Sequence, residues 1–212
     1  YDGDETDCVA VPLLADGTCT IANSLRTAGF SVTKEYSDGN TDPVSVSLTC
    51  SDGTVPASPL DAAPGSPAMF EVTGYEGEPT CTATEDVPAG YDGDETDCED
   101  VGLLEPGACV ITNTLRAAEF TVNKEYTDDN VNPVSVSLAC SSGVVSESPL
   151  DAAPGDAAVF EVTGYDGDPT CTAVEFVPDG YEADLSDCTS VALEADGECT
   201  ILMATPSLAP VA

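Results

Sequence analysis

The stretch FSVTKEYSDGNTDPVSVSLTC, residues 30–50, decides the fold. Two runs in which apolar and polar residues alternate, FSVTKEY and VSVSLTC, flank a segment rich in Ser, Asp, Gly, Asn and Pro. Alternation with a period of two, in segments rich in Val, Thr and aromatic residues, predicts β-strands, and Gly, Pro, Asp and Asn mark turns. The stretch therefore predicts two strands joined by a turn.

The same pattern continues on both sides of this stretch. MFEVTGY, TCTATEDV and CVITNTL are also short, alternating and bounded by turn residues, and no segment has a convincing helical period. About five to seven strands in about 90 residues are typical of a small β-sandwich. We therefore predict an all-β protein.

An internal repeat sets the domain organisation. YDGDETDC occurs at residues 1–8 and again at 91–98, and a third copy begins at Tyr181 but stops early. Residues 1–90 align without a gap with 91–180, and roughly two thirds of the positions are identical. The strands form complete sets only if the folding unit is out of phase with the repeat. The predicted segments are a closing segment of a preceding or neighbouring domain (1–18), two β-sandwich domains (19–114 and 109–204) and a C-terminal tail (205–212).

Composition excludes several classes of function. Forty acidic side chains face four basic ones, for a net charge of −36, so phosphate backbones and anionic lipid surfaces would repel the chain. Histidine is absent, which removes the commonest general base and any Ser–His–Asp arrangement. No apolar run approaches the ~20 residues of a membrane span. We expect no enzyme, no nucleic-acid partner and no membrane span.

Ten cysteines without a CxxC pair indicate disulfides and an oxidising, extracellular or cell-surface location. In VSVSLTC and CTATEDV the cysteines share a face with apolar residues, which favours pairing across these two strands. The other cysteines lie eleven residues apart and bracket turn-like segments. The favoured pairs are Cys8–Cys19, Cys50–Cys81, Cys98–Cys109, Cys140–Cys171 and Cys188–Cys199.

Polar residues of three types occupy positions on apolar strand faces. The chain has two lysines, Lys34 and Lys124, and both stand at equivalent positions on the face that carries Phe and Val. Glu85 shares a face with Cys81, Ala83 and Val87, and Asn113 shares one with Ile111. Burial of lysine is rare because desolvation of the ammonium group is costly, and it lowers the pKa of the amine.

The run FEVTGYEGEPTCTATEDVPAGY (70–91), the opening FSVTK and the ending ITNT resemble the Cna-B/SpaA-type repeats of bacterial surface and pilus proteins. The resemblance implies tandem immunoglobulin-like or prealbumin-like β-sandwich domains. It also implies an intramolecular isopeptide bond, with Lys34 as nucleophile, Asn113 as electrophile and Glu85 as proton shuttle. The alternative is a buried Lys–Glu ion pair with the asparagine hydrogen-bonded beside it. Disulfides depart from the typical pattern of the Gram-positive members.

The second domain departs from the pattern at one position. It keeps Lys124 and Glu175, but Met203 stands where Asn113 stands in the first domain. Methionine cannot be attacked by an amine. One hypothesis is that a neighbouring molecule donates a strand from residues 1–25, placing Asn23 beside Lys124 and linking subunits head to tail. The alternative is that Met203 packs normally and Lys124 pairs with Glu175.

Acidic loops are the remaining candidate sites. Asp92, Asp94 and Asp97 in YDGDETD alternate in a way that suits calcium, although no complete EF-hand spacing is present, and plain acidic turns are the alternative. No other cofactor is indicated. Arg26 and Arg116, at equivalent positions in NSLR and NTLR, are expected to clamp nearby carboxylates.

Near-identical tandem units, crosslinks and the lack of catalytic machinery favour an extracellular structural protein. We expect a segment of a surface fibre, pilus-like filament or stalk that associates head to tail. The alternative is a cell-surface adhesin or a calcium-dependent ligand-binding module, which would be expected to vary its loops between copies. The loops of the two copies are largely alike.

Overall fold

The computed structural model describes residues 1–11, 17–104, 107–193 and 197–206; the predicted tail (205–212) lies outside these residues from position 207 onward. Single 3-10 turns lie at Thr6–Cys8, Thr96–Cys98 and Ser186–Cys188. All other regular elements are strands: β1 (Asp2–Asp4), β2 (Ala22–Ser24), β3 (Thr27–Tyr36), β4 (Val44–Cys50), β5 (Leu60–Ala62), β6 (Ala68–Thr73), β7 (Thr80–Glu85), β8 (Tyr91–Asp94), β9 (Val101–Gly102), β10 (Ala108–Leu115), β11 (Ala117–Tyr126), β12 (Val134–Cys140), β13 (Val144–Val145), β14 (Leu150–Ala152), β15 (Ala158–Thr163), β16 (Thr170–Glu175), β17 (Glu182–Asp184), β18 (Val191–Ala192) and β19 (Gly197–Ala204).

The chain forms two compact units. Unit 1 comprises Tyr1–Val87 and Gly93–Thr114, and unit 2 comprises Pro88–Asp92 and Leu115–Ala212. Each unit contains a body (residues 26–90 or 116–180) and a closing segment that begins at residue 91 or 181. In unit 1 the two together form one sheet in the order β6-β3-β10-β8 and a second in the order β5-β4-β7-β9. Unit 2 has the equivalent sheets β13-β15-β11-β19-β17 and β14-β12-β16-β18. The predicted all-β fold with tandem β-sandwiches is confirmed.

The first strand of each body and the last strand of its closing segment are parallel neighbours. In unit 1, β10 pairs with β3, and Ile111 lies opposite Lys34. In unit 2, β19 pairs with β11, and Ile201 lies opposite Lys124. A parallel pair requires a long crossover connection, and here that connection is the rest of the sandwich.

Alternation along the strands builds the two cores. On β3, Phe30 and Val32 are fully buried and the residues between them are partly exposed, because successive side chains point to opposite faces. Lys34 is the next residue on the buried face and is 1% exposed. Each unit has its own hydrophobic cluster, and each fully buried Val, Leu, Ile or Phe contributes about 1.5–3 kcal/mol of hydrophobic free energy. Because of this alternation, the Lys34 side chain lies in the core of unit 1.

One assignment of a strand face was wrong. Val87 was expected to face inward with Cys81 and Ala83, but its side chain is 44% exposed, whereas Cys81 and Ala83 are buried. The reason is that β7 ends at Glu85, so the alternation does not extend past that residue. Glu85 is the last residue that the strand places on the inner face.

All ten cysteines are paired, and the five disulfides are those that the sequence favours: Cys8–Cys19, Cys50–Cys81, Cys98–Cys109, Cys140–Cys171 and Cys188–Cys199. Cys50 and Cys81 lie directly opposite each other on β4 and β7. Closing an eleven-residue loop stabilises a fold by about 3 kcal/mol in the chain-entropy account. The disulfides therefore staple both the second sheet and the closing segment of each unit.

Among the described residues, no helix is long and apolar enough to cross a membrane.

Candidate crosslinking site

Lys34 is held on the buried face of β3 with its amine inside unit 1. Its Nζ atom donates hydrogen bonds to the carbonyl oxygens of Glu35, at 3.1 Å, and of Ile111, at 3.4 Å. The same atom lies 4.6 Å from the centre of the Tyr36 ring. Since Ile111 belongs to β10, the lysine contacts the last strand of the unit as well as its own.

Glu85 supplies the acid group. Its side chain is fully buried, and its Oε2 atom lies 3.4 Å from Lys34 Nζ. Its backbone N–H donates a hydrogen bond to Glu95 Oε1 at 2.6 Å. The position of Glu85 at the end of β7 places the carboxyl group against the lysine, and Glu95 holds the backbone at that end.

Asn113 completes the cluster from β10, where it is fully buried. Within the described residues, neither its amide nitrogen nor its amide oxygen makes a hydrogen bond, and the carboxyl oxygens of Glu85 make none either, although Oε2 forms the ion pair with Lys34. Each unpartnered buried polar group costs about 1–3 kcal/mol. Such a concentration of atoms without hydrogen bonds is unusual in a core.

Gly93 leaves space beside this cluster. A Cβ atom at this position would lie 3.2 Å from Glu85 Oε1 and 3.4 Å from Asn113 Oδ1. It would also approach Val87 Cγ2 to 2.7 Å. The two measurements place the Glu85 carboxyl oxygen and the Asn113 amide oxygen around one point, which a side chain at position 93 would crowd.

Burial favours the uncharged forms of both ionisable groups. Desolvation lowers the pKa of Lys34, and the nearby carboxylates of Glu85 and Glu95 only partly oppose this shift. Desolvation also raises the pKa of Glu85, against the influence of Lys34 and of the Asn113 amide. A neutral amine beside a protonated carboxyl group is the combination that attack on an amide requires.

Unit 2 contains the lysine and the glutamate of this site but not the asparagine. Lys124 Nζ lies 3.5 Å from Glu175 Oε2 and donates to the carbonyl oxygens of Glu125 and Ile201. Desolvation again lowers the pKa of the lysine and raises the pKa of the glutamate. The residue from the last strand, however, is a fully buried Met203, which offers no carbonyl group to attack.

Asn23, the other predicted electrophile, lies in the N-terminal segment of unit 1. It is exposed on β2 and pairs with Gly3 on β1. The structure thus brings Lys34 together with Glu85, and Lys124 together with Glu175. Asn23 lies instead on the exposed two-stranded sheet formed by β1 and β2.

The predicted calcium ligands are not brought together. Asp92 accepts a hydrogen bond from Arg116 Nε at 2.8 Å, and Asp94 accepts bonds from the backbone N–H and hydroxyl of Thr96. The Thr96 bonds lower the pKa of Asp94. Across the described ranges, no group of three acidic or cysteine side chains, Asp97 included, is arranged to hold a metal ion. The motif forms β8 and the 3-10 turn Thr96–Cys98.

The arginines clamp carboxylates in both units. Arg26 Nε lies 2.9 Å from Asp2 Oδ1, and Arg116 Nε lies 2.8 Å from Asp92 Oδ1. The backbone carbonyl of each arginine also accepts a hydrogen bond from a glycine, Gly74 in unit 1 and Gly164 in unit 2. These contacts lie immediately before β3 in unit 1 and immediately before β11 in unit 2.

The alternation of apolar and polar residues does not indicate that Gly93 and Glu95 lie beside the buried cluster. A comparison of the three copies of the repeat does point to both residues. The two copies that carry asparagine on the last strand also carry glycine and glutamate in the YDGDETDC motif. The third copy loses all three together. The matched sets are Gly3, Glu5 and Asn23; Gly93, Glu95 and Asn113; and Ala183, Leu185 and Met203.

The fold and the site define a tandem β-sandwich protein in which one unit holds a lysine, a glutamate and an asparagine together in its core. No protein-family model matches the sequence, and no curated protein matches it.

Several solved structures are similar. A variant of the shaft pilin SpaA from Lactobacillus rhamnosus GG is 17% identical, with a TM-score of 0.36, over 87% of this chain and 100% of that chain. The major pilin protein of Streptococcus pyogenes is 11% identical, with a TM-score of 0.45, over 87% of this chain and 99% of that one. The Bacillus anthracis TIE protein is 13% identical, with a TM-score of 0.44, over 89% of this chain and 38% of that one.

Proposed function

We propose that this chain is a segment of an extracellular structural fibre, a surface stalk or pilus-like filament, whose units are locked by disulfides and, in unit 1, by an isopeptide bond between Lys34 and Asn113. The observation that carries the proposal is the buried cluster of Lys34, Glu85 and Asn113, in which the amide and carboxyl atoms lack hydrogen-bond partners among the described residues. A noncovalent core would lose free energy by keeping these groups; a bond-forming site needs them.

The proposed reaction follows from the protonation states. Lys34 Nζ, as a neutral amine, attacks the side-chain carbonyl carbon of Asn113. Glu85, as the protonated acid, polarises the amide oxygen and transfers protons from the attacking nitrogen to the departing one. One C–N bond forms, one C–N bond breaks, and ammonia leaves. No electron is gained or lost, so the reaction needs no cofactor.

The position of the bond suits a load-bearing unit. Lys34 lies on the first strand of the body and Asn113 on the last strand of the closing segment, and these strands are parallel neighbours. A pulling force that enters at β3 and leaves at β10 would pass through the bond. The residues between positions 34 and 113 would lie inside a covalent loop and would be shielded from the force.

The paired cysteines support an extracellular setting. All ten cysteines form disulfides, which persist in oxidising compartments. A net charge of −36 keeps closely spaced copies soluble by mutual repulsion. Near-identical tandem units without histidine are better suited to a structural than to a catalytic role.

The test is the intact mass of the fully reduced, denatured chain. The proposal expects a deficit of one ammonia relative to the sequence, and fragmentation should recover a branched peptide that joins Lys34 to Asn113. Glu85→Gln keeps the shape of the side chain and removes the acid, so it should restore the full mass. A wild-type chain at the full sequence mass would overturn the isopeptide bond.

A further inference from the structure

Residues at the start of the chain already have the form of a closing segment. β1 and β2 pair antiparallel with Gly3 opposite Asn23. The pair β17–β19, which closes unit 2, has the same register 180 positions later, with Ala183 opposite Met203. The 3-10 turn and the disulfide that follow β1 also recur in the closing segment of unit 2.

The same side chains are buried in the complete units and exposed here. Ile21 is 57% exposed, whereas its counterparts Ile111 and Ile201 are fully buried against the first strand of a body. Asn23 is exposed, whereas Asn113 is fully buried. This exposed strand therefore carries the same side chains that dock against a first strand in the complete units.

We propose that β1 and β2 bind the body of another copy of this repeat unit, with β2 as its last strand. The partner is defined by the two complete units, in which the closing strand pairs in parallel with a first strand that carries a lysine. By the register of unit 1, Ile21 would lie opposite the lysine of the receiving body, and Asn23 would lie opposite the tyrosine two residues further on. This is strand addition to a sheet, in which backbone hydrogen bonds supply affinity and alternate side chains supply specificity.

The segment with β1 and β2 also has the glycine, glutamate and asparagine that surround the proposed bond in unit 1. Gly3, Glu5 and Asn23 match the set in unit 1, whereas the segment that closes unit 2 has Ala183, Leu185 and Met203. When β1 and β2 are bound, the Asn23 amide would thus lie near the buried lysine and glutamate of the receiving body. An isopeptide bond would form as in unit 1, with release of one ammonia; this covalent step rests on the proposed function, and the docking does not.

The experiment keeps the natural chain whole and supplies the partner. A second copy of residues 26–90 is placed before Tyr1, so that it precedes Tyr1 as residues 26–90 precede Tyr91. The expected product has lost two ammonias after reduction, and the added body resists protease. Asn23→Ala should remove one of the two losses and leave the protection. Ile21→Asp should remove both the second loss and the protection.

The outcomes separate this inference from the proposed function. A single ammonia loss with a protease-sensitive added body would overturn the inference while the Lys34–Asn113 bond stands. Protection of the added body that depends on Ile21, without any ammonia loss, would support the docking and overturn the isopeptide chemistry in both places.

Discussion

The two units share a body and differ in the segment that closes it. Both bury a lysine against a glutamate, at 3.4 Å in unit 1 and 3.5 Å in unit 2. Only the closing strand of unit 1 brings an amide, Asn113, to that pair, and unit 2 brings Met203. The lysine–glutamate pair therefore belongs to the body in both units, whereas the closing segment determines whether an amide is buried beside it.

The largest expected effect comes from giving unit 1 the methionine of unit 2. Asn113→Met should abolish the ammonia loss completely. It should also lower the free energy of unfolding of unit 1 by about 4 kcal/mol, the order expected when a covalent loop of about 80 residues is opened. Intact mass and denaturant unfolding under reducing conditions measure the two effects. Asn23→Met, at the equivalent exposed position, is the matched control and should leave the mass deficit unchanged.

The reverse exchange should install the bond in unit 2. The triple variant Ala183→Gly, Leu185→Glu and Met203→Asn restores the set found in unit 1 and should lose a second ammonia. Met203→Asn alone should react more slowly, because the Ala183 methyl group occupies the space that Gly93 leaves open in unit 1. Peptide mapping should place the new branch at Lys124. A triple variant with only one ammonia loss would show that the closing segment does not decide the difference.

Bond formation in unit 1 should have a bell-shaped pH dependence. It falls in acid as Lys34, whose pKa is lowered by burial, gains a proton, and it falls in base as Glu85, whose pKa is raised by burial, loses one. The negative charge of Glu95 raises both pKa values. Glu95→Gln should therefore move both limbs to lower pH without lowering the maximum rate, because the amide oxygen still accepts the Glu85 N–H.

Glu95→Leu separates charge from positioning in the same measurement. It should shift the profile as Glu95→Gln does and also lower the maximum rate about fivefold, because one hydrogen bond worth about 1 kcal/mol is lost. The rate is followed by mass after transfer of chain isolated in denaturant, before it has folded, into buffers from about pH 4 to about pH 10. A profile that does not move in either variant would leave Glu95 a purely structural residue.

The sequence predicts the body of each unit better than its closing segment. β3, β4 and β7 alternate strictly, so the inward direction of Lys34 and the pairing of Cys50 with Cys81 follow from a period of two. β8 was missed because YDGD is acidic and glycine-rich, which reads as a turn, and edge strands tolerate such residues. Gly93 lies in that edge strand and Glu95 follows it directly. Their position beside the buried cluster is therefore seen only in the folded structure.

The smallest effect should come from removing the ion pair of unit 2. A double substitution of Lys124→Met with Glu175→Gln replaces two buried ionisable groups that gain little from each other after desolvation. Without a bond to lose, unit 2 should keep its stability or gain about 1 kcal/mol. The matched double variant of Lys34 and Glu85 should destabilise unit 1, because it removes the nucleophile of the bond. Denaturant unfolding of the two double variants measures the difference directly. Equal losses of unfolding free energy in both units would mean that the ion pair stabilises the sandwich in its own right and that Asn113 adds nothing to it.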